Sequence, residues 1–293
     1  MLRREQRQFS ISKPYCSIQQ SIPKTIPTRT LAKMNKEQID SLRLEMANRT
    51  GNQFYERELG EIIHLSETLG NCKSFVDVGA SLGPYTWSAN MLLEGASITA
   101  VEANPMLCKH LVEQWKDIEA KENNNGNTLK VINAALSDCS GTLDFYINKD
   151  NYLNSFIGGV VDLDYGDKSH EKVKLPTLSL DEMFPDEAPD FVKIDIEGAE
   201  WRALKGAKNL LAKRRTRFLV EIHPWGDASN NIRPSDVFSL MSKANYSVER
   251  LNQHWLFLPN KPSLAGRIKA AFFGFVLNHP SIRKLAKLLL LGR

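Results

Sequence analysis

Two clusters of acidic residues carry the chemical potential of this chain. Each ends a short β-branched run and each is followed by glycine. The first is Phe75-Val76-Asp77-Val78-Gly79-Ala80-Ser81-Leu82-Gly83, and Ser97-Ile98-Thr99-Ala100-Val101-Glu102 follows as a second apolar run closed by a carboxylate. The second is Asp190-Phe191-Val192-Lys193-Ile194-Asp195-Ile196-Glu197-Gly198-Ala199-Glu200, with Glu221-Ile222-His223-Pro224 beyond it. Carboxylates in this number can hold a cationic or polyhydroxylated ligand, and an imidazole beside them can move a proton.

The first cluster reads as a binding site for an adenosine-bearing ligand. Gly79 permits a sharp turn at a strand end. Gly83 lets a helix begin close against the sheet with its N–H groups directed at the crevice. Glu102 stands about twenty positions beyond the turn, where an acidic residue accepts hydrogen bonds from ribose hydroxyls. The glycines do not follow G-x-G-x-x-G, and Asp77 and Glu102 together would repel a pyrophosphate, so a nicotinamide-dependent oxidoreductase is the weaker reading. Two anions suit a sulfonium and an amino-acid ammonium instead. The expected cofactor is therefore S-adenosyl-L-methionine (SAM). Asp77 is expected to shape its methionine end and Glu102 to hold its ribose, while Asn133 with the backbone of Ala134 and Ala135 borders its adenine.

The second cluster reads as the place where an acceptor reacts. A buried strand delivers Asp195 and Glu197 to its carboxyl end, where open α/β sheets bind ligands. His223 is the natural base because its ordinary pKa lies near neutrality. Asp195 or Glu197 could serve instead, or could hold acceptor hydroxyls. Glu200 reads as a helix-capping charge. A divalent cation could use these carboxylates, but no ligand spacing asks for one, and none is expected.

The elements that must position these residues alternate. Ser74–Val78, Ser97–Glu102 and Thr128–Asn133 read as strands separated by helices at Pro84–Leu93 and Met106–Ala120. After an irregular middle, Phe191–Asp195 (strand), Ala199–Leu211 (helix), Phe218–Glu221 (strand) and Pro234–Ala244 (helix) resume the rhythm, and Ser247–Leu251 and Trp255–Leu258 close it. This order predicts an α/β fold with a doubly wound, mainly parallel sheet. Helical periodicity from Asn35 (Ile39, Leu42, Met46) and from Leu59 to Leu69 predicts a helical lead-in. In the middle, Gly141–Ile147, Lys172–Pro176 and Thr177–Leu180 read as short strands. The Asn-, Gly- and Asp-rich stretch Asn148–Ser169 reads as an insertion at the mouth of the site.

Three zones follow: a flexible basic arm over 1–34, one catalytic domain over 35–260, and a basic amphipathic helical extension over 261–293. The 293 residues are 42% apolar, enough for a sizeable core, and the formal charge of +4 does not by itself imply nucleic acid. Basic residues gather at the ends, where Arg3, Arg4, Arg7, Lys13, Lys24, Arg29 and Lys33 face Glu5 alone, and Arg283, Lys284 and Lys287 line Ile282–Leu291. Pro14, Pro23 and Pro27 would break a presequence helix, which favours a disordered arm over a transit peptide. Cys16, Cys72, Cys108 and Cys139 show neither C-x-x-C pairing nor metal-ligand spacing, which suits reduced thiols in the cytoplasm. The apolar run Ala270–Leu277 is too short to span a bilayer. With the basic helix after it, the stretch 264–293 suits peripheral contact with an anionic membrane.

The motifs F-V-D-V-G-A-S-L-G, V-E-A-N-P, N-A-A-L-S-D, L-P-T-L-S-L-D-E, D-F-V-K-I-D-I-E-G-A-E-W and V-E-I-H-P, between Ser74 and Pro224, resemble the FkbM family of SAM-dependent methyltransferases. Ala103 departs from a proline common there. The resemblance implies a class I methyltransferase fold, Rossmann-like, with a seven-stranded sheet whose last strand is antiparallel. It also implies O-methylation of a hydroxyl on a sugar, glycolipid, polysaccharide or polyketide. A nucleic-acid methyltransferase would show an Asn/Asp-Pro-Pro-aromatic or Pro-Cys motif, or a basic stripe with aromatics, and none is present; nucleic acid is not an expected partner. A non-catalytic SAM- or membrane-binding module is the remaining alternative, opposed by the intact Asp77, Glu102, Asp195 and Glu197.

Overall fold

The computed structural model describes residues 34–51, 56–148, 156–157, 170–223 and 231–279. The basic arm up to residue 33, most of the Asn148–Ser169 insertion and the Ile282–Leu291 helix lie outside these described residues.

Two helices lead in. In α1 (Lys36–Thr50), Asn35 accepts a hydrogen bond from the Gln38 N–H, and the Gln38 side chain answers the Asn35 backbone. α2 spans Glu56–Leu69. Leu42, Met46, Leu59, Ile62 and Leu65 turn inward at helical spacing and are buried. They cover one face of the main sheet.

That sheet contains β1 (Ser74–Val78), β2 (Ser97–Glu102), β3 (Thr128–Asn133), β8 (Phe191–Ile194), β9 (Arg217–Glu221), β10 (Ser247–Leu251) and β11 (His254–Leu258), in the order β10-β11-β9-β8-β1-β2-β3. β3, β2, β1, β8 and β9 pair in parallel, while β11 runs antiparallel between β9 and β10. Seven strands with the final one antiparallel is the expected architecture. Crossovers are made by α3 (Pro84–Leu92), α4 (Pro105–Ala120), the pair α6 (Glu200–Lys205) and α7 (Lys208–Lys213), and α8 (Pro234–Lys243).

The period of two along each strand decides which side chains meet. Val76, Val78, Val192, Ile194, Phe218 and Val220 join the core beneath α6 to α8. Phe75, Phe191, Leu219 and Leu256 face the other way, toward α1 to α3, and the rings of Phe75 and Phe191 stack at 5.6 Å. Asp77 shares the parity of Phe75, Lys193 that of Phe191, Glu221 that of Leu219, and His254 that of Leu256. Register puts Asp77 beside Lys193 and His254 beside Glu221. The chemistry-bearing groups thus collect on the α1–α3 face at the carboxyl ends of the parallel strands.

Three expectations need revision. The run Ala199–Leu211 is two helices, because the chain at Gly206 is pulled against neighbouring backbone: a Cβ there would lie 2.3 Å from the Ser137 carbonyl oxygen. Gly206 accepts a hydrogen bond from the Asp181 N–H, while the Asp181 carboxylate accepts from the N–H groups of Asn209 and Leu210 and so starts a new helix. The short strands expected at Lys172–Pro176 and Thr177–Leu180 are one strand, β7 (His170–Leu178). With β4 (Ala135–Leu136), β5 (Gly141–Asn148) and β6 (Phe156–Ile157) it builds a second, four-stranded sheet, β4-β7-β5-β6, that the sequence did not announce. The short helix α5 (Leu180–Met183) follows it.

Candidate active site

On the β1–β2 side, the turn after β1 is built from left-handed residues: Gly79, Ser81 and Gly83 have φ of 72°, 53° and 86°. A Cβ on Gly79 would lie 1.8 Å from the carbonyl oxygen of Asp195, so the glycine is required by contact between two strand ends. A Cβ on Gly83 would collide with Trp87 of the same helix at 2.6 Å and with Leu111 of α4 at 2.8 Å, so the glycine is required by packing between two helices. Glu102 ties this turn to the next one. One of its oxygens accepts from the Ser81 N–H and the other from the Asn104 N–H, both at 2.8 Å. Burial raises its pKa, and those two N–H groups partly offset the rise. Asn133 donates to the carbonyls of Glu102 and Ala103, while the Ala134 N–H donates to Glu102 O.

Asp77 is 0% exposed and lies under the turn. It accepts from the Thr86 hydroxyl at 2.7 Å, and Lys193 Nζ stands 3.4 Å from its other oxygen. Lys193, which the sequence reading passed over, also donates to Gly79 O at 3.0 Å and sits 3.6 Å from Asp195. Burial opposes its charge, but Asp77 and Asp195 overcome that and raise its pKa. The crevice floor is therefore less negative than two bare carboxylates would make it.

On the β8–β9 side, all the expected residues come together. Glu197 (φ 55°) and Gly198 (φ 104°) make a second left-handed turn after β8. A non-glycine residue held there is strained by about 1 kcal/mol or more, and such strain gathers at working sites. The turn sets Glu197 3.4 Å from His223 Nε2. Behind the ring, His223 Nδ1 lies 2.7 Å from Glu200, which also accepts from the Gly198 N–H. Glu200 stands in the first turn of α6, as expected, and is buried there as the partner of the imidazole. Burial disfavours the imidazolium, yet the hydrogen bond and charge of Glu200, with Asp195 and Glu197 beyond, raise His223 to about 10. Asp195 is lowered, because Lys193 and two histidine rings outweigh its burial. Glu197 is raised by burial despite His223, and Glu221 is raised by burial and by Asp195.

A second histidine faces the same cluster. His254 lies with Nδ1 2.7 Å from Glu61 of α2 and Nε2 3.8 Å from Glu221. Glu61 also accepts from Tyr85 Oη at 2.7 Å and from the Gln253 N–H at 3.0 Å. No spacing in the sequence links Glu61 to His254. Cys72 and Cys108 are free and buried, with burial pushing their thiols up to about 11 and about 12, which leaves them inert; Cys139 is free and exposed.

SAM fits this donor set. Each Glu102 oxygen has accepted one N–H and retains a lone pair for a ribose hydroxyl. The start of α3 has no side-chain cap, and Lys193, the cation at the floor, is already engaged by two carboxylates.

Comparison with known proteins agrees. The family model described as the methyltransferase FkbM domain matches residues 77–248, well over half the chain. No curated protein matches. Among solved structures, the chain resembles a methyltransferase FkbM from Methylobacillus flagellatus at 14% identity and a TM-score of 0.42, covering 75% of this chain and 59% of that one. It resembles a precorrin-6y C5,15-methyltransferase from Geobacter metallireducens at 13% identity and a TM-score of 0.40, covering 71% and 90%. A Thermus thermophilus 16S rRNA N2 G1207 methyltransferase aligns at 14% identity and a TM-score of 0.35, covering 71% and 43%. Likenesses this loose carry no information about the acceptor. The matched domain, seated on the seven-stranded sheet and its two acidic turns, makes this chain a member of the FkbM family of SAM-dependent methyltransferases.

Proposed function

We propose that this enzyme methylates a hydroxyl oxygen of a saccharide or glycolipid, with Glu197 receiving the proton. The observation that carries this reading is the group Asp195, Glu197, Glu200 and His223 at one strand end, next to the glycine turn. Bound SAM supplies an already activated methyl group, so the protein's task is to align an acceptor oxygen and relieve it of its proton.

The division of labour departs from the sequence-based expectation. With its pKa near 10, His223 carries a proton at neutral pH and serves as an orienting cation. Burial raises Glu197 above the ordinary carboxylate value, its side chain is half exposed, and it stands 3.4 Å from that cation. Those are the properties of a general base. Asp195 and Glu221 offer further acceptors to a polyol. On the other side, Glu102 would hold the ribose, the Gly79–Gly83 turn and the buried Asp77–Lys193 pair would shape the methionine end, and Asn133 and Ala134 would flank the adenine.

The C-terminal helix favours an acceptor presented at a lipid surface. α9 (Leu264–Asn278) packs on α8 through Gly274, Phe273 and Asn278; Phe273 meets Trp255 at 4.5 Å, and Asn278 donates to Ser235 at 2.8 Å. Its outer side leaves Leu264, Ile268, Phe272 and Phe275 exposed beside Arg267 and Lys269. An apolar stripe flanked by cations fits peripheral contact with anionic lipid. Among the described residues no helix is long and apolar enough to cross a membrane.

The test is transfer of label from methyl-labelled SAM to saccharide and glycolipid fractions, with the glycolipids offered in anionic vesicles and in detergent. Label in a base-stable ether on a sugar hydroxyl is expected. Replacing Phe272 and Phe275 by Ser should reduce transfer in vesicles and spare transfer in detergent. Label confined to nitrogen or carbon would refute the reading.

A further inference from the structure

We propose that Asp195, Glu221 and His254 form a site for a divalent cation of the Mn2+ type, with Glu61 fixing the imidazole from behind. Its use in catalysis rests on the acceptor reading above, whereas the binding itself does not.

The donor atoms of these three side chains lie within 4.8 Å of one another. Ligands about 2.1 Å from a shared ion stand between about 3.0 Å apart at right angles and about 4.2 Å apart when opposite, so the three side chains must draw in to close on an ion. One imidazole nitrogen with two carboxylates is a donor set for Mn2+ and its neighbours rather than for thiophilic ions.

An acidic cluster alone would not distinguish this place from any charged rim. His254 does. The residue is 3% exposed, and its Nε2 is buried without a hydrogen-bond partner. That nitrogen is directed at Glu221, 3.8 Å away, too far for a hydrogen bond and far enough to admit an ion between them. On the other side of the ring, Nδ1 stands 2.7 Å from Glu61 Oε2, although bent from a linear hydrogen bond. Glu61 is itself held by Tyr85 and by the Gln253 N–H. A carboxylate behind one ring nitrogen fixes the tautomer that presents the other as a ligand, which is the usual support of a metal-binding histidine. A cation bound between this nitrogen and the two carboxylates would give Nε2 the partner it lacks.

The neighbouring group Asp195, Glu197 and His223 meets the same distance criterion but lacks this feature, since His223 is engaged by Glu200 and Glu197. The side chains of Asp195 and Glu221 are 27% and 20% exposed, so the site opens on one side toward the crevice. A dication there would carry the acceptor hydroxyl and stabilise the negative charge it gains as its proton passes to the Glu197 carboxylate.

The experiment is Mn2+ titration of the metal-stripped full chain, followed by the paramagnetic resonance signal of free Mn2+, with SAM binding measured by calorimetry on the same samples. One Mn2+ per chain is expected. Glu221→Gln should weaken it by roughly 10–100-fold, the range typical of perturbing a metal site. His254→Gln should abolish it, and His223→Gln should leave it intact, all three still binding SAM. Wild-type protein that binds SAM but no Mn2+ overturns the site and leaves the methyltransferase reading standing. So does Mn2+ binding that survives both Glu221→Gln and His254→Gln, or that is lost in His223→Gln alone.

Discussion

The two halves of the crevice use carboxylates in opposite ways. On the β1–β2 side, Asp77 and Glu102 are buried and held by fixed donors: a threonine hydroxyl, a lysine and two backbone N–H groups. On the β8–β9–β11 side, Asp195, Glu197 and Glu221 are partly exposed, and their partners are two imidazoles, each with a buried glutamate behind it. The first half holds a shape. The second holds protons and charge that can be redistributed. A site that must bind one constant donor and deprotonate an acceptor needs both kinds of construction.

The sharpest way to break this contrast is Asp195→Asn. It should lower turnover by about 10²–10⁴-fold, the scale of lost acid–base and positioning groups, while SAM binding persists. Single-turnover kinetics beside calorimetry would read both. Lys193→Met comes next. It leaves Asp77 buried without its cation, at a cost of about 3–5 kcal/mol in urea unfolding. Glu102→Gln should act on the other half alone, weakening SAM about 10–100-fold through loss of charged hydrogen bonds, with kcat close to wild type at saturating SAM. A weakened kcat and an unchanged SAM affinity would reverse the assignment of the two halves.

A further effect is on pH dependence. His223 is raised to about 10 from an ordinary value near 6.5, so its contribution to stability is fully present below about pH 6.5 and is lost as pH rises through about 10. Melting temperatures should therefore fall across that window more steeply in the wild type than in His223→Gln. Equal slopes would mean that the ring is neutral in the folded protein.

The contrast also explains what the sequence disclosed. The β1–β2 half is local: Gly79, Gly83 and Glu102 lie within one β–α–β unit, and spacing alone placed them. Asp195, Glu197 and His223 were legible because each ends a short β-branched run. Glu61 and His254 were not, since they meet only where a lead-in helix packs on an antiparallel hairpin nearly two hundred residues further along the chain. Lys193 was hidden by its own strand, where a charged residue between Val192 and Ile194 carries no sign of its partner. Glu200 was legible as a first-turn carboxylate, but nothing local shows that it also reaches the His223 ring. The second sheet escaped notice because β4 and β6 are two residues each, below the length at which alternation can be seen.

β11 enters the sheet between β9 and β10, although both precede it in the chain. A ribosome therefore releases every parallel strand before the piece that seats His254 against Glu221. Until that hairpin slots in, the first half of the crevice can already exist while the second lacks a wall. The line of contacts from Glu61 through His254 to Glu221 is therefore completed last, and removing β11 would abolish it while sparing every residue of the β1–β2 half.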